Sequence, residues 1–268
     1  MKKHVTVYKK VGETPLQALE IFRKLWPELA NLPLTYAGRL DPMAEGKLLI
    51  LIGDECKKRT QYDGLDKEYE FEVLFGFKSD TGDVLGLAKL CGDVNVFSEK
   101  ELKTAAEFFL GEQVLPYPAF SSKTVDGKPL FHHAIENNLD DIEIPTATVH
   151  VYQMRFCGTR SVSGRELVDD ILEKIELLKV DTLDSRTGSG FRKEEICTRW
   201  RSCKIEDSGQ YTIARFKTTV SSGTYIRILA PLIAEKLRNY GLAYSIRRTK
   251  IGRYISVSKR FGFWRRKI

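Results

Sequence analysis

The segment YAGRLDPMAEG at 36–46 constrains what this chain can fold into more than any other. Gly38 permits backbone dihedral angles and close approaches that a Cβ atom would block, and Pro42 fixes its own φ angle. Pro42 also disfavours α geometry at the preceding residue, so Asp41 is predicted in an extended or turn conformation. Asp-Pro is a common turn initiator in any soluble protein. The longer pattern favours a carboxylate held at the rim of a structure over one on an exposed helix face.

Length and composition indicate an ordinary globular protein. The 268 residues suffice for one large domain or two small ones, with 42% hydrophobic and 29% charged residues. The N-terminal MKKHVTVYKK has lysines but lacks the apolar region and cleavage site of a signal peptide. The longest apolar run, LLILI at 48–52, is far shorter than the ~18 residues of a membrane span and fits a buried strand. We therefore expect a soluble, cytoplasmic protein with no membrane partner.

The cysteines and histidines form no metal-binding pattern. The five cysteines are scattered, none belongs to a C-x-x-C pair, and no histidine lies at ligand spacing from them. Cys197 and Cys203 could pair, but free thiols are expected in a reducing cytosol. His132 and His133 are adjacent, and two such neighbours on a loop are more often solvated polar residues than ligands. We predict no metal and no cofactor.

The excess positive charge is concentrated at the C-terminal end. Residues 236–268 hold eleven Lys or Arg and no Asp or Glu. Residues 1–235 then carry 32 cations and 36 anions, a net charge of −4, although the whole chain has +7. The basic segment also contains Tyr240, Tyr244, Tyr254, Phe261, Phe263 and Trp264. Cations neutralise phosphates and rings stack on bases, so the segment favours nucleic-acid binding over a solvated tail.

Hydrophobic periodicity predicts alternating helices and strands along the chain. Three helix starts carry an N-cap with a Glu or Gln three residues later, at Thr14, Ser98 and Ser163. The alternation in 67–77 predicts a half-buried strand. Further strands are predicted near 5–8, at 48–52, 147–156 and 211–221, and a further helix at 225–238. The pattern indicates an α+β fold with a mixed, mostly antiparallel sheet flanked by helices.

Two polar segments are predicted as excursions from this domain. Residues 115–146 are rich in Pro, Gly, Asn and Asp, and loops of that length in compact domains are usually lids or binding arms. Residues 181–210, which include SRTGSGFRKEEICTRWRSCK, are predicted as a surface excursion that contacts RNA.

Several segments together resemble the TruB-type pseudouridine synthases. GRLDPMAEGKLLILIGDECKK at 38–58 resembles the family signature, in which the Asp of G-x-L-D-P is catalytic. Further segments match in the expected order: DKEY at 66–69, SDTGD at 79–83 with Gly86, PAFSSKTVDGKPLF at 118–131, SSGTYIRILAPLIAEKL at 221–237, and SIRR at 245–248. The resemblance covers about residues 10–254. Any one motif is weak evidence, but these segments in order are strong.

The resemblance implies a fold, a reaction and a substrate. It predicts a pseudouridine synthase fold in which 115–146 is a thumb-like insertion that grips RNA. These enzymes detach uracil from its ribose, turn it and rejoin it through C5, with no cofactor. We therefore predict a monomeric RNA pseudouridine synthase acting by base flipping on the T-loop uridine of tRNA (position 55). Asp41 is the predicted catalytic residue, whether it attacks the sugar, adds to the base or abstracts a sugar proton.

The resemblance also assigns the supporting residues of the site. Arg227 is predicted as a bidentate partner of Asp41, the alternative being a surface arginine at a helix start. Tyr69 is predicted to stack on the extruded uracil, although its position equally suits packing on a sheet. Tyr225 and Ile246 are predicted pocket walls, and both would suit a plain core.

Lys67, the last of these support residues, is predicted to brace the site or touch phosphate, with a solvated strand-end lysine as the alternative. Asp80 and Asp83 are read as turn-forming residues beside Gly82. RNA contacts are predicted for Tyr36, Arg39, Lys123, Lys128, His132, Arg247, Arg248, Lys250 and Arg253.

Two departures from the family pattern affect the prediction. The family usually has H-T-G-x-L-D-P, whereas this chain has Tyr36 in place of the His, which puts RNA grip in question more than the reaction. Relatives commonly end in a PUA domain, and only about fifteen residues follow the last matching strand, too few for a domain. We predict a catalytic domain at 1–254, a basic aromatic tail at 255–268 and no PUA domain. The alternatives are a non-catalytic RNA-binding or RNA-folding protein of this descent, or a synthase for a different RNA.

Overall fold

The computed structural model describes residues 3–29, 31–91, 97–178, 192–258 and 261–268, without the side chains of 266 and 267. Over these residues the strands are β1 His4–Lys9, β2 Leu34–Ala37, β3 Glu45–Ile52, β4 Asp66–Phe75, β5 Phe77–Lys78, β6 Lys89–Leu90, β7 Gly111–Pro116, β8 Thr124–Val125, β9 Lys128–Pro129, β10 Thr146–Ser163, β11 Gln210–Val220, β12 Gly241–Ser256 and β13 Gly262–Lys267. The α-helices are α1 Pro15–Leu25, α2 Arg59–Asp63, α3 Glu99–Glu107, α4 Leu130–Ile135, α5 Gly164–Glu176, α6 Lys193–Ser202 and α7 Ile226–Lys236.

One mixed sheet organises the described chain. Its strand order is β1-β3-β12-β4-β11-β10-β7, with β13 added on β12 and β2 on β3. The β12–β3 pair is parallel and the other pairs are antiparallel, so the predicted mixed, mostly antiparallel sheet is confirmed. Phe71 of β4 lies opposite Phe216 of β11 and Ile246 of β12. β4 and β12, which carry residues of the site described below, therefore lie at the centre of the sheet.

The predicted alternation in β4 holds only in the middle of the strand. Tyr69 and Phe71 are buried, while Glu70 and Glu72 on the other face are half-buried. Residues 66–68 and 73–75 are all buried, which means that both faces are covered at the two ends. The prediction of a half-buried strand was therefore correct only for 69–72.

The three predicted capping boxes are all present. At the first, the Thr14 hydroxyl accepts the Gln17 N–H at 3.1 Å, and the Gln17 side chain accepts the Thr14 N–H at 2.8 Å. Ser98 and Ser163 make the same pair of bonds at α3 and α5. Each cap is worth about 1 kcal/mol and depends only on residues within one turn, which is why the sequence predicts it well.

The segment 115–146 has its own small elements. It contains the end of β7, the two-residue strands β8 and β9, and α4. His132 and His133 lie in α4 and not on a loop, and His133 is buried. We call 115–146 the thumb segment below.

The prediction of a surface excursion at 181–210 is wrong for its second half. Residues 181–191 lie outside the described part of the chain, whereas 193–202 form α6. Trp200 of α6 is fully buried, its indole N–H donates to the Val84 carbonyl at 2.9 Å, and its ring lies 5.5 Å from that of Phe77. In the sequence, the apolar residues of α6 alternate with charged residues, so the segment was interpreted as a polar surface excursion.

The basic aromatic tail at 255–268 does not start a separate unit. β12 continues to Ser256, and β13 pairs antiparallel with it, so the segment extends the sheet. Tyr254 and Trp264 pack edge to face at 5.3 Å, while Phe261 and Phe263 are exposed. Among the described helices, none has the length and apolarity needed to cross a membrane.

Candidate active site

A cavity of about 780 Å³ lies where the segment of Asp41 meets β4, the thumb segment and the start of α7. This volume falls within the roughly 300–1,000 Å³ typical of small-molecule pockets. Its walls include Asp41, Tyr69, Tyr225, Arg227 and Ile246, which the sequence had assigned to one site. These residues are up to 205 positions apart, and the central strands bring them together.

Asp41 lies in the loop between β2 and β3, which we call the signature loop (38–46). Its side chain is 36% exposed, and its Oδ2 accepts a 2.7 Å hydrogen bond from Arg227 Nε. Arg227 lies in the first turn of α7 and is 3% exposed. The alternative of a surface arginine is therefore excluded.

The geometry of this pair differs from the prediction, because only one guanidinium nitrogen contacts Asp41. Arg227 Nη1 donates to the Thr81 carbonyl at 2.9 Å, and Nη2 donates to the Phe120 carbonyl at 3.1 Å. The bidentate pairing predicted from sequence is thus wrong. A buried guanidinium must satisfy its donors, and the backbone of two other segments supplies the acceptors.

Asp83 is a second carboxylate at Arg227, and sequence analysis read it only as a turn residue. Its Oδ2 lies 3.6 Å from Arg227 Nε, and its Oδ1 accepts from the Thr81 hydroxyl at 2.7 Å and the Leu85 N–H at 3.0 Å. Burial raises the pKa of Asp83 to about 6, although Arg227 opposes that shift. The feature of the sequence that could have indicated this role is the position of Asp83 as the second Asp of the SDTGD loop.

Burial opposes the charged form of Arg227, but the charges of Asp41 and Asp83 raise its pKa above the ordinary arginine value. The cation is therefore permanent, and it favours the ionised form of whichever carboxylate it contacts.

Two buried cations hold the backbone of the signature loop. Arg248 is 1% exposed and donates to the carbonyls of Lys47 at 2.7 Å, Gly38 at 2.8 Å and Arg39 at 3.3 Å. These carbonyls engage its guanidinium, and Arg248 also lines the cavity, so its contact with RNA stays a prediction.

Lys9 is the second cation and was missed by the sequence analysis. It is fully buried, and its Nζ donates to the Ala44 carbonyl at 2.6 Å and the Pro42 carbonyl at 3.4 Å. Burial lowers the pKa of Lys9 to about 7, although Asp41 and Glu13 oppose the shift. No local pattern separates it from a solvated lysine, since it stands in a Lys-Lys pair at the end of β1.

Two glycines of the signature loop have left-handed backbone. Gly38 has φ +67° and donates its N–H to Asp63 Oδ1 at 2.7 Å. Gly46 has φ +108°, and a Cβ atom there would lie 2.3 Å from the Arg248 carbonyl oxygen. Gly46 is thus needed for both its conformation and its contact, which agrees with the constraint read from the sequence.

The remaining support residues lie in the cavity wall. Tyr69 and Ile246 are buried, and Tyr225 is half-buried with its ring 5.9 Å from that of Tyr117. Burial and the charge of Asp41 raise the pKa of Tyr225, so its hydroxyl stays protonated at neutral pH. Lys67 is buried rather than solvated and donates to the Asp63 carbonyl at 2.7 Å. Burial lowers the pKa of Lys67 to about 8.

The residues predicted to contact RNA are distributed around this cavity. Tyr36, Arg39 and His132 line it. The Arg59 guanidinium lies over the Tyr36 ring at 5.3 Å, and Arg39 donates to the Ser122 hydroxyl at 2.8 Å. Both contacts join the signature loop and its strand to neighbouring segments.

Five of the other predicted contacts lie outside the cavity wall. Exposed Lys123 lies over the Tyr117 ring at 5.2 Å, and Lys128 pairs with Glu136. On β12, Arg247 pairs with Glu70, Lys250 pairs with Glu68 at 2.9 Å, and Arg253 is exposed. Within the described residues, no three His, Cys, Asp or Glu side chains are grouped to hold a metal ion.

Comparison with known protein families identifies the family of this chain. Residues 32–167 match the sequence model of the TruB family pseudouridylate synthase N-terminal domain. The chain belongs to the TruB family. The family predicted from the ordered motifs is therefore confirmed.

Relatives of this TruB-family chain are named tRNA pseudouridine synthases. It is 30% identical over 247 residues to tRNA pseudouridine synthase B of Caldicellulosiruptor saccharolyticus, covering 92% of this chain and 66% of that protein. Over 213 residues it is 30% identical to the synthase B of Caldanaerobacter subterraneus subsp. tengcongensis, covering 72% and 73%. To tRNA pseudouridine synthase 4 of Saccharomyces cerevisiae it is 28% identical over 243 residues, covering 79% and 59%. The chain thus spans between 59% and 73% of the length of these relatives.

The fold comparison gives the same family fold. A chain in the crystal structure of a Cbf5-Nop10-Gar1 complex aligns with a TM-score of 0.54 and 16% identity, covering 93% of this chain and 48% of that one. At this identity the likeness concerns the fold alone. Together with the mixed sheet, it confirms the predicted fold class.

Proposed function

We propose that this TruB-family chain is an RNA pseudouridine synthase that isomerises uridine to pseudouridine, with Asp41 as its catalytic residue. One observation carries the proposal: a partly exposed carboxylate faces a nucleotide-sized cavity and is fixed by a buried arginine at 2.7 Å. The relatives named tRNA pseudouridine synthase support the reaction class.

The reaction needs what this cavity contains. The N-glycosidic bond of uridine breaks and a bond from the ribose to C5 of uracil forms. The proton that C5 loses is balanced by the one that N1 gains, so the product is an isomer and no cofactor is consumed. An ionised carboxylate serves each route, whether it attacks the sugar, adds to the base or removes a sugar proton. The contact from Arg227 favours that ionised form and fixes the side-chain rotamer of Asp41.

The cavity also suits a base taken out of its stack. An enzyme that acts on a base must extrude it from the surrounding RNA. Tyr69 and Tyr225 offer aromatic surface and Ile246 offers apolar surface in the wall of a cavity of about 780 Å³. We assign Tyr69 to stacking on the uracil, and we assign Tyr36, Arg39 and His132 at the cavity to the neighbouring nucleotides.

The substrate within this proposal is the T-loop uridine of tRNA. RNA recognition relies on splayed bases and loop shape rather than on reading a duplex, which suits a folded loop. Lys123 and Arg253 are exposed cations, and we assign them to phosphates of the T-arm. We further propose that the protein acts as a monomer in the cytoplasm.

A non-catalytic RNA-binding protein is the second candidate, and one observation favours it. Tyr36 stands where the family usually has His, and its ring is engaged by Arg59 at 5.3 Å. RNA binding alone, however, does not require the buried Arg227 beside a carboxylate that faces a cavity.

Incubation with an unmodified tRNA transcript separates the two candidates. The wild-type protein should form pseudouridine at the T-loop uridine, and a transcript with cytidine at that position should gain none. Asp41→Asn should abolish product while RNA affinity stays within about twofold, because the substitution is isosteric. Asp54→Asn is the matched control, since Asp54 is 93% exposed and away from the cavity. Product formed by Asp41→Asn at the wild-type rate would refute the assignment.

A further inference from the structure

Arg227 depends on two backbone acceptors that belong to different segments. Thr81 lies in the loop after β5, and Phe120 lies at the start of the thumb segment. The loop of Thr81 is anchored to β12, because the Gly82 carbonyl accepts the Ala243 N–H at 2.9 Å and the Ala243 carbonyl accepts the Val84 N–H at 3.2 Å. Phe120 lies outside any strand or helix. The backbone bond of the next residue, from the Phe131 N–H to the Ser121 carbonyl at 3.2 Å, stays within the thumb segment.

Arg192 joins these two segments directly. Its Nη2 lies 2.7 Å from Asp80 Oδ2, beside Thr81, and its guanidinium lies over the Phe120 ring at 4.7 Å. Asp80 is itself fixed, since its Oδ1 accepts the Leu87 N–H at 2.7 Å. Arg192 thus fastens the aromatic ring of Phe120 to the anchored loop.

The backbone conformation of Arg192 also indicates that this residue is held in place. It has φ +54° and ψ +33° at the start of α6, in the left-handed region that arginine seldom adopts. Such a conformation persists where the surrounding contacts over-determine it. The side chain of Arg192 is only 28% exposed and lines the cavity, where it contacts Asp80 and Phe120.

We infer that Arg192 is a positioning residue of the active site, which acts through Phe120 and Thr81 on Arg227 and so on Asp41. It holds the carbonyls of Phe120 and Thr81 at the spacing that the Arg227 guanidinium requires. The inference rests on the proposed function, and it assigns to α6 a role in the reaction that the sequence motifs do not contain.

The main competing role for Arg192 is direct contact with an RNA phosphate from the cavity wall. The two roles differ in what the Arg192→Ala substitution changes. A positioning residue affects the turnover number, kcat. A phosphate contact affects RNA affinity and lowers the slope of log Kd against log salt concentration by about one.

The test uses the full chain and an unmodified tRNA transcript. Arg192→Ala should lower kcat about tenfold, with KM and the salt slope of RNA binding within error of wild type, because one cation–π contact and one partly buried ion pair are lost. Arg192→Lys should recover kcat to within about threefold, since a cation remains near both partners. Arg201→Ala is the matched control, an exposed arginine on the same helix. Arg192→Met, which keeps side-chain volume over the ring, replaces Arg192→Ala if that variant unfolds.

Hydrogen exchange gives a second readout that needs no activity. Amides of 79–87 and 118–123 should exchange faster in Arg192→Ala than in wild type, and those of β10 should not change. A weaker, less salt-dependent RNA affinity with unchanged kcat would overturn the inference, and so would unchanged kcat with unchanged exchange. If the wild-type protein forms no pseudouridine, the proposed function fails, while the exchange result still decides whether Arg192 holds the two segments.

Discussion

Replacing Arg227 by lysine tests the geometry of the site most directly. A lysine can place one ammonium near Asp41, but it cannot reach three acceptors with the fixed fork of a guanidinium. The carbonyls of Thr81 and Phe120, which now accept at 2.9 and 3.1 Å, would lose their partners. Asp83, whose nearest cation is Arg227 at 3.6 Å, would be left in a less compensated buried site.

The size of the effect follows from those lost bonds. A hydrogen bond from a charged donor contributes roughly 1.5–3 kcal/mol, so the loss of two of them lowers the free energy of unfolding by about 3–6 kcal/mol. For a domain of this size the melting temperature, Tm, should fall by about 6–24 °C. With Asp41 no longer held in one rotamer, kcat should fall at least ~100-fold, as for a 1 Å misplacement of a reacting group.

Urea unfolding and pseudouridine formation on a tRNA transcript measure the two effects. Arg201→Lys is the control, because it makes the same chemical change at an exposed position. If Arg227→Lys changes the unfolding free energy by less than ~1 kcal/mol and leaves kcat near the wild-type value, the account of the buried guanidinium is refuted.

Three further predictions concern the residues around the signature loop and α6. Burial holds the pKa of Lys9 at about 7, below its unfolded value of 10.5, so the folded state binds fewer protons between those pH values. Wild-type stability should therefore rise relative to Lys9→Met between about pH 7 and 10, as measured by urea unfolding at pH 6, 8 and 9.5; a constant difference would contradict the burial of the amine. Gly46→Ala should destabilise by more than about 2 kcal/mol, because its Cβ would meet Arg248 at 2.3 Å, whereas Gly127→Ala, with φ +77° and open space, should lose only about 1 kcal/mol of backbone strain in the same assay. Trp200→Ala should lower the free energy of unfolding by about 3–5 kcal/mol in thermal or urea unfolding, since it empties a fully buried site. A loss below ~1 kcal/mol would contradict the packing of α6 into the core through Trp200.

Buried basic side chains stabilise the backbone around this active site. Lys9, Arg227 and Arg248 are each at most 3% exposed, and each donates mainly to backbone carbonyls. Carbonyl oxygens satisfy a cation without adding a second charge that would compete with Asp41. The segment that carries Asp41 is therefore fixed from both sides, by Lys9 and by Arg248, while the carboxylate itself stays accessible.

Some predictions succeeded because their physics is local. The capping boxes at Thr14, Ser98 and Ser163 involve partners three residues apart, and the alternation in β4 repeats every two residues. The burial of Arg248 was not predicted, for the opposite reason. Its acceptors, Gly38 and Lys47, lie about 200 positions away, and an arginine next to the exposed Arg247 carries no local mark of burial.

By itself, the sequence determined the family, the starts of α1, α3 and α5, five strands of the sheet and the two residues, Asp41 and Arg227, on which the proposed reaction depends. Only the tertiary structure decided that Arg227 uses a single N–H on Asp41, that Asp83 shares the cation, and that α6 reaches the cavity through Arg192. The reason is physical. A short pattern records which backbone conformation a segment prefers, whereas the role of a charged side chain depends on which acceptors surround it, and distant segments supply them when the sheet forms.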